Sequence, residues 1–156
     1  MAEGRKVVAT NRRARHDYDI QDTYEAGIVL RGVEVKSLRQ GRASIAEAYA
    51  RVSGGEVWLE GMHVPPYSHD SSAGEYEPVR SRKLLLHRAE IERLTGKLAE
   101  RGLTLVPLSL YFKGGRAKVE LGLGRGRRRY EKRHVIAERE QRREVERELA
   151  RRDRGG

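Results

Sequence analysis

The strongest constraint on this fold sits at Gly114-Gly115. Before it runs Leu103–Lys113, LTLVPLSLYFK, and after it residues 116–123, RAKVELGL. A two-residue Gly-Gly loop between strand-like runs needs positive φ at both positions, which glycine adopts without a Cβ penalty. It predicts a tight type I′ hairpin. In the second arm Ala117, Val119, Leu121 and Leu123 alternate with Arg116, Lys118 and Glu120, a period of two that buries one face. The first arm changes phase: Leu103 and Leu105 are odd, but Leu108, Leu110 and Phe112 are even. The switch falls at Val106-Pro107. Proline cannot donate to a ladder, so a bulge or bend is expected there. A long, strongly bent strand suits a small closed barrel better than a flat sheet. Gly54-Gly55 repeats the hairpin signal between Tyr49–Ser53 and Glu56–Glu60.

Two helices interrupt the strands. In EVKSLRQG (34–41), Val35 and Leu38 share an inward face, Lys36 and Arg39 share another, and Gly41 supplies the stop. The second helix covers about residues 88–101, buries Ile91, Leu94 and Leu98, and ends at Gly102. Gly96 inside it costs roughly 1 kcal/mol against alanine; close approach of helix and barrel would account for it. Residues 65–78, PPYSHDSSAGEYEP, read as a loop. The pattern is mainly β with short helices. It is compatible with an OB-fold-like closed antiparallel β-barrel with flanking helices and a basic C-terminal tail, although hairpin spacing alone does not select that barrel over other small ones.

Charge then divides the chain. Of 156 residues, 37% are hydrophobic and 36% charged, and the formal net charge is +10. Such a composition allows one small core and one domain. Residues 1–123 hold the alternating runs and form the barrel. From 124 onward, 13 Lys and Arg face 7 Asp and Glu. Val135, Ile136, Val145 and Leu149 are too scattered there for a core stripe. Residues 124–156 therefore read as a tail, disordered when free, because little apolar burial offsets ~1–2 kcal/mol of backbone ordering per residue. Glu138 and Arg142, spaced i, i+4, favour a helix once the tail docks. The glycine string Gly122, Gly124 and Gly126 reads as a hinge between the two parts. It lacks the helix start and later acid of a dinucleotide site.

A positive excess with clustered arginine points to nucleic acid. No apolar run is long enough to span a bilayer, and the tail has no broad apolar face to insert, so no membrane partner is expected. The charged first residues, with no apolar stretch after them, do not read as a signal peptide, which favours the cytoplasm. Cysteine is absent, which excludes disulfides and thiolate metal sites. GxxxxGK[ST] is absent too. Of the five histidines, His63 with His69-Asp70, or His16 with Asp17 and Asp19, match no metal or nuclease spacing. No enzyme activity, metal or cofactor is expected. An RNA-processing enzyme using His16 or His63 and a structural ribosomal or ribosome-assembly protein stand as alternatives.

The residue pattern marks two candidate RNA-contacting blocks. Arg12, Arg13 and Arg15, then His16, stand just before a strand-like run in which Tyr24, Ala26, Ile28 and Leu30 alternate with Glu25. Glu25 should point away from the core. An acid is unfavourable beside phosphates, so it needs a specific role, either accepting hydrogen bonds from a base edge or holding an arginine in position. With Lys36 and Arg39, the arginines could cradle a phosphate backbone; a merely solvated basic face is the simpler account. In the second block, RRRYEKR (127–133), cations neutralise phosphates and Tyr130 can stack on a base.

Several long stretches, in order, resemble the small protein B family of tmRNA-binding proteins. They are NRRARHDYDIQDTYEAGIVLRGVEVKSLRQGR (11–42), SRKLLLH (81–87), GLTLVPLSLYFKGGRAKVELGLGRG (102–126) and YEKR (130–133). The resemblance implies an OB-like barrel that binds the tRNA-like domain of tmRNA through Asn11, Glu25 and the run Leu84, Leu85 and Leu86, part of which would be core. The basic residues Arg12, Arg13, Arg15, His16, Lys36 and Arg39 would join that site. It implies delivery of alanine-charged tmRNA, with elongation factor Tu on the same RNA, to stalled ribosomes, the protein acting as a monomer. The tail residues Arg127, Arg128, Arg129, Tyr130, Glu131, Lys132 and Arg133 would enter the decoding centre and the empty mRNA channel. Where this chain has Glu131 the family usually has Asp, which keeps the charge but changes its reach.

Overall fold

The computed structural model describes residues 4–67 and 76–126. Their elements run β1 (Arg5–Thr10), α1 (Arg12–Asp17), β2 (Tyr18–Ile28), α2 (Gly32–Arg39), β3 (Tyr49–Ser53), β4 (Glu56–Glu60), β5 (Arg82–Leu85), α3 (Arg88–Leu98), β6 (Leu103–Lys113) and β7 (Arg116–Gly126). Both Gly-Gly pairs are hairpin turns with positive φ throughout, 61° and 73° at Gly54-Gly55, 57° and 74° at Gly114-Gly115.

The strands form one antiparallel sheet, ordered β1-β6-β3-β4-β5-β2-β7 and closed by β6–β7 pairing. The expected OB-fold-like barrel is present, and the β6 bulge explains how it closes. Before the bulge, Leu105 of β6 pairs with Ala50 of β3. After it, residues from Ser109 to Lys113 pair with β1. The register with β7 slips between Pro107 and Ser109. With no N–H at Pro107 to hold it, the strand bends there and changes neighbours.

The bulge also corrects the expected place of Leu108. Leu105 and Leu110 belong to the main core, whereas Val106 and Leu108 pack outside it with Ala14, Tyr18 and Ile20. That satellite cluster seats α1, which sequence periodicity did not reveal: six residues with one buried apolar side chain, Ala14, carry no period. The short β1 was missed for a similar reason. Its side chains are exposed or half-buried and its partner is distant in sequence.

The glycine string is not a hinge. β7 pairs with β2 as far as Tyr18–Gly126, so the barrel extends past the expected boundary at 123. A Cβ at Gly124 would fall on the Asp19 carbonyl, and one at Gly122 would lie 2.9 Å from Leu108 Cδ1. These glycines let the strands and the bulged leucine approach closely.

α2 ends in a full Schellman motif. Gly41 (φ 72°) donates to Leu38 O at 2.9 Å and Arg42 to Ser37 O at 3.0 Å. Its first turn holds a feature that hydrophobic patterning missed, the fully buried pair Glu34 and Arg82. Glu34 accepts from Arg82 Nε at 2.8 Å, from Arg80, and from the Arg31 backbone at 2.8 Å. Arg82 also donates to Met62 O at 2.8 Å and Pro78 O at 3.1 Å. The network clamps α2 to β5 and the segment before it.

α3 is shorter than expected, ending at Leu98, with Leu94 fully buried and Ile91 and Leu98 partly so. A Cβ at Gly96 would meet nothing within 4 Å, so close packing does not explain this glycine. Gly96→Ala should therefore stabilise the protein by about 0.5–1 kcal/mol. Urea unfolding checks it: the midpoint should rise at constant m, and an unchanged or lower midpoint would contradict the open-space geometry.

Candidate nucleic-acid interface

Asn11 sets the position of α1. Its side-chain oxygen accepts from Ala14 N at 3.2 Å, and its amide donates to Ile45 O at 3.3 Å and Pro107 O at 3.1 Å. Its backbone N–H donates to Leu108 O at 2.8 Å. With 7% exposure and these bonds made, Asn11 is an anchor that turns the next residues outward, not an open contact surface. Arg12, Arg13, Arg15 and His16 stand on the outer side of α1: Arg12, Arg13 and Arg15 are exposed, and His16 keeps 71% of its side chain in solvent. Arg15 also lies in the last turn of α1, where positive charge complements the helix dipole.

The period-two reading of β2 holds: Tyr24, Ala26 and Ile28 are buried, and Glu25 faces outward. It meets an assembly from four strands. Glu25 accepts from the Tyr111 hydroxyl and from Lys113 Nζ at 3.4 Å. Arg5 lies 4.4 Å above the Tyr111 ring centre, 3.7 Å from Glu25 and 3.4 Å from Glu120. Arg15 reaches Glu120 at 3.4 Å, which ties α1 to the same patch. Of the two roles open to Glu25, the structure displays the holding of an arginine. The Tyr111 hydrogen bond lowers the Glu25 carboxyl below the usual carboxylate range against some desolvation, with Lys113 assisting. Burial, then the bond to Glu25 and its charge, push the Tyr111 hydroxyl well above its ordinary range. At neutral pH the pair is therefore a phenol donating to a carboxylate.

The leucine run splits three ways. Leu84 is core at 1% exposure, which corrects its place in the candidate surface; Leu86 is half-buried against the core; Leu85 is 52% exposed. Leu85 pairs with Gly27 across β2–β5, and a Cβ at Gly27 would come within 3.3 Å of Leu85 Cβ. The missing side chain makes room for Leu85 on the same outer face as Glu25.

Lys36 and Arg39 are not gathered with the α1 arginines. Arg39 stacks at 4.7 Å on Phe112, a core residue, and Lys36 lies 5.5 Å from the Tyr67 ring centre. Phe112 and Tyr111 are neighbours in β6 and point to opposite faces. Arg39 on Phe112 and Arg5 on Tyr111 thus stack on residues of opposite faces of that strand. Arg5, Tyr111, Lys113 and Glu120 were missed in the sequence. The phase count could have found Tyr111, which falls out of step with Leu110 and Phe112 after the bulge.

His16 lies beside Asp17 at 3.5 Å, and His63 forms a backbone bridge with Ser44. Among the described residues, no group of three or more His, Cys, Asp or Glu could hold a metal ion. His69, Asp70, His134 and the tail residues Arg127, Arg128, Arg129, Tyr130, Glu131, Lys132 and Arg133 lie outside the described residues.

The family model described as "SmpB protein" matches residues 8–151. The chain belongs to the SmpB family. The match runs from β1 through the barrel and into the basic C-terminal segment. The SsrA-binding protein of Frankia casuarinae is 59% identical over 152 residues, covering 97% of this chain and 95% of the relative. That of Acidothermus cellulolyticus is 60% identical over 152 residues with the same coverage. A solved SmpB-family chain, from work called "tmRNA-SmpB: a journey to the center of the bacterial ribosome", superposes with a TM-score of 0.64. It is 55% identical, covering 76% of this chain and 82% of that one. The barrel is thus the SmpB fold. Its outer face carries Glu25, Leu85 and the arginines of α1.

Proposed function

We propose that this SmpB-family chain is an RNA-binding adaptor without catalytic chemistry. It binds the tRNA-like domain of tmRNA and brings it to stalled ribosomes for peptide tagging. The observation that carries this is similarity along nearly the whole chain to proteins named SsrA-binding protein. The solved neighbour from work on tmRNA and the ribosome supports the same reading. Arg12, Arg13, Arg15 and His16 on the outer side of α1, with Leu85 and Glu25 on the barrel face, supply the chemistry: cations for phosphates, and an apolar side chain on which a splayed base or ribose can rest. Lys36 beside Tyr67 and Arg39 on Phe112, apart from the α1 arginines, would grip a different stretch of RNA. In this proposal Arg127, Arg128, Arg129, Tyr130, Glu131, Lys132 and Arg133 contact the decoding centre and mRNA channel. Elongation factor Tu joins through the alanyl-tmRNA, and the protein works as a cytoplasmic monomer.

Filter-binding titrations of tmRNA at several salt concentrations test the RNA surface. Joint replacement of Arg12 and Arg13 by alanine should weaken binding. It should reduce the slope of log K against log salt by roughly 0.7–0.9 for each phosphate that is no longer neutralised. The melting temperature should hold, because both side chains are exposed. Wild-type affinity and slope in the folded double variant would remove α1 from the interface.

A further inference from the structure

The outer face of the barrel contains an arrangement that stability alone would disfavour. Glu25 and Glu120 stand directly opposite each other across the β2–β7 ladder. Like charges in that position repel. Carboxylates also repel RNA phosphates, so their presence on an RNA-facing surface requires a local role. Arg5 answers the repulsion, lying 3.7 Å from Glu25 and 3.4 Å from Glu120. Its guanidinium rests on the Tyr111 ring, and the Tyr111 hydroxyl donates to Glu25. Lys113 flanks Glu25, and Arg15 flanks Glu120 at 3.4 Å. Tyr111 is fully buried beneath this cover, although it faces away from the main core. Its place is that of a base plate: one hydroxyl fixes the acid, and one ring face carries the cation.

Given the RNA-binding reading, on which this rests, we infer that Tyr111 is a positioning residue. It locks Glu25 and supports Arg5, so that Arg5, Arg15 and Lys113 present one ordered row of cations to an RNA phosphate backbone. Long basic side chains lose rotamer freedom when they grip a ligand. A row already held by Tyr111, Glu25 and Glu120 has lost that freedom before RNA arrives. Within the described patch Arg5, Arg15 and Lys113 are set against Glu25 and Glu120, and Lys118 lies near enough to act on Glu25.

The test is a double-mutant cycle on tmRNA binding, read as affinity and as salt slope. Arg5→Ala should reduce the slope by roughly 0.7–0.9, the equivalent of one neutralised phosphate. Tyr111→Phe keeps the ring and removes only the hydroxyl. It should weaken binding by about tenfold, the scale of one charge-assisted hydrogen bond. Combining the two should weaken binding by clearly less than the product of the single effects, because part of the Tyr111 effect passes through Arg5. A structural role for Tyr111 would lower the melting temperature without this coupling. Should Tyr111→Phe fold poorly, Glu25→Gln asks the same question from the exposed end: it still accepts from Tyr111 but loses its charge on Arg5. The same non-additivity is then expected. Wild-type affinity in the folded Tyr111→Phe protein, or strict additivity with Arg5→Ala, would overturn the inference while leaving the RNA-binding reading intact. Failure of the wild-type protein to prefer tmRNA over an unrelated RNA of equal length would overturn both.

Discussion

Glu34→Ala is expected to lower the unfolding free energy by about 3–5 kcal/mol, the usual consequence of stranding a buried charge. Glu34 and Arg82 are both fully buried, and removal of the acid leaves the Arg82 guanidinium without a counter-charge, facing the Met62, Pro78 and Arg80 carbonyl oxygens and the Tyr76 hydroxyl. The same substitution takes the acceptor from Arg80 and from the Arg31 N–H at the start of α2. A fall in melting temperature on the order of 10 °C or more should follow. Arg12→Ala, on an exposed helix face, serves as the control and should shift it little. Replacing Glu34 and Arg82 together by methionine should recover much of the loss, because the penalty comes from the unpaired partner more than from the missing attraction. Acid should have a related effect. Burial alone would raise the Glu34 carboxyl, but bonds from Arg80, the Arg31 N–H and Arg82 hold it below the usual carboxylate range. Its contribution is therefore complete above the unfolded pKa of about 4.3 and is lost as pH falls through the lower folded value. Urea titrations at neutral and acid pH measure both effects. A loss under about 1 kcal/mol for Glu34→Ala at neutral pH would show that the pair stabilises little.

Deleting residues 127–156 is expected to abolish tagging of stalled ribosomes while leaving tmRNA affinity and melting temperature nearly unchanged. The reason is that the barrel strands up to Gly126 already close the sheet, whereas the segment after them is charged and poor in apolar residues. β7 is paired with β2 up to Gly126 and with β6 up to Arg125. Among the described residues, Leu123 is the last member of the main core cluster, and the sequence beyond Gly126 has only scattered apolar residues. The deleted stretch carries Tyr130, Lys132 and Arg133, the residues proposed to meet the decoding centre. In vitro tagging should compare intact, truncated and scrambled-tail proteins at matched ribosome occupancy. A tail acting only as polyelectrolyte would be rescued by a scrambled sequence of equal charge, whereas register-specific stacking and pairing would not. Full tagging by the truncated protein would refute the two-part mechanism, and full tagging by the scrambled one would reduce the tail to a tether.

The sequence alone determined the features that depend on near neighbours. Gly54-Gly55 and Gly114-Gly115 specified two hairpins because only glycine tolerates positive φ at both loop positions without strain. The period-two run at Tyr24, Ala26 and Ile28 oriented Glu25 outward. The phase change at Val106-Pro107 announced the bulge, and the long family-like blocks announced the barrel and its partner class. Tertiary structure alone decided what those local features meet. Leu108 went to the satellite cluster because the bulge turned it away from Leu110. Gly122 and Gly124 became close-packing positions because Ile20, Leu108 and the Asp19 carbonyl occupy the space a Cβ would need. Leu84 and Leu85 separated into core and surface because β5 lies between β4 and β2 with one face inward. Glu34 with Arg82, and Glu25 with Tyr111 and Arg5, join residues 48, 86 and 20 positions apart. No periodicity records such pairings, because they arise only when the sheet closes and brings distant strands into register.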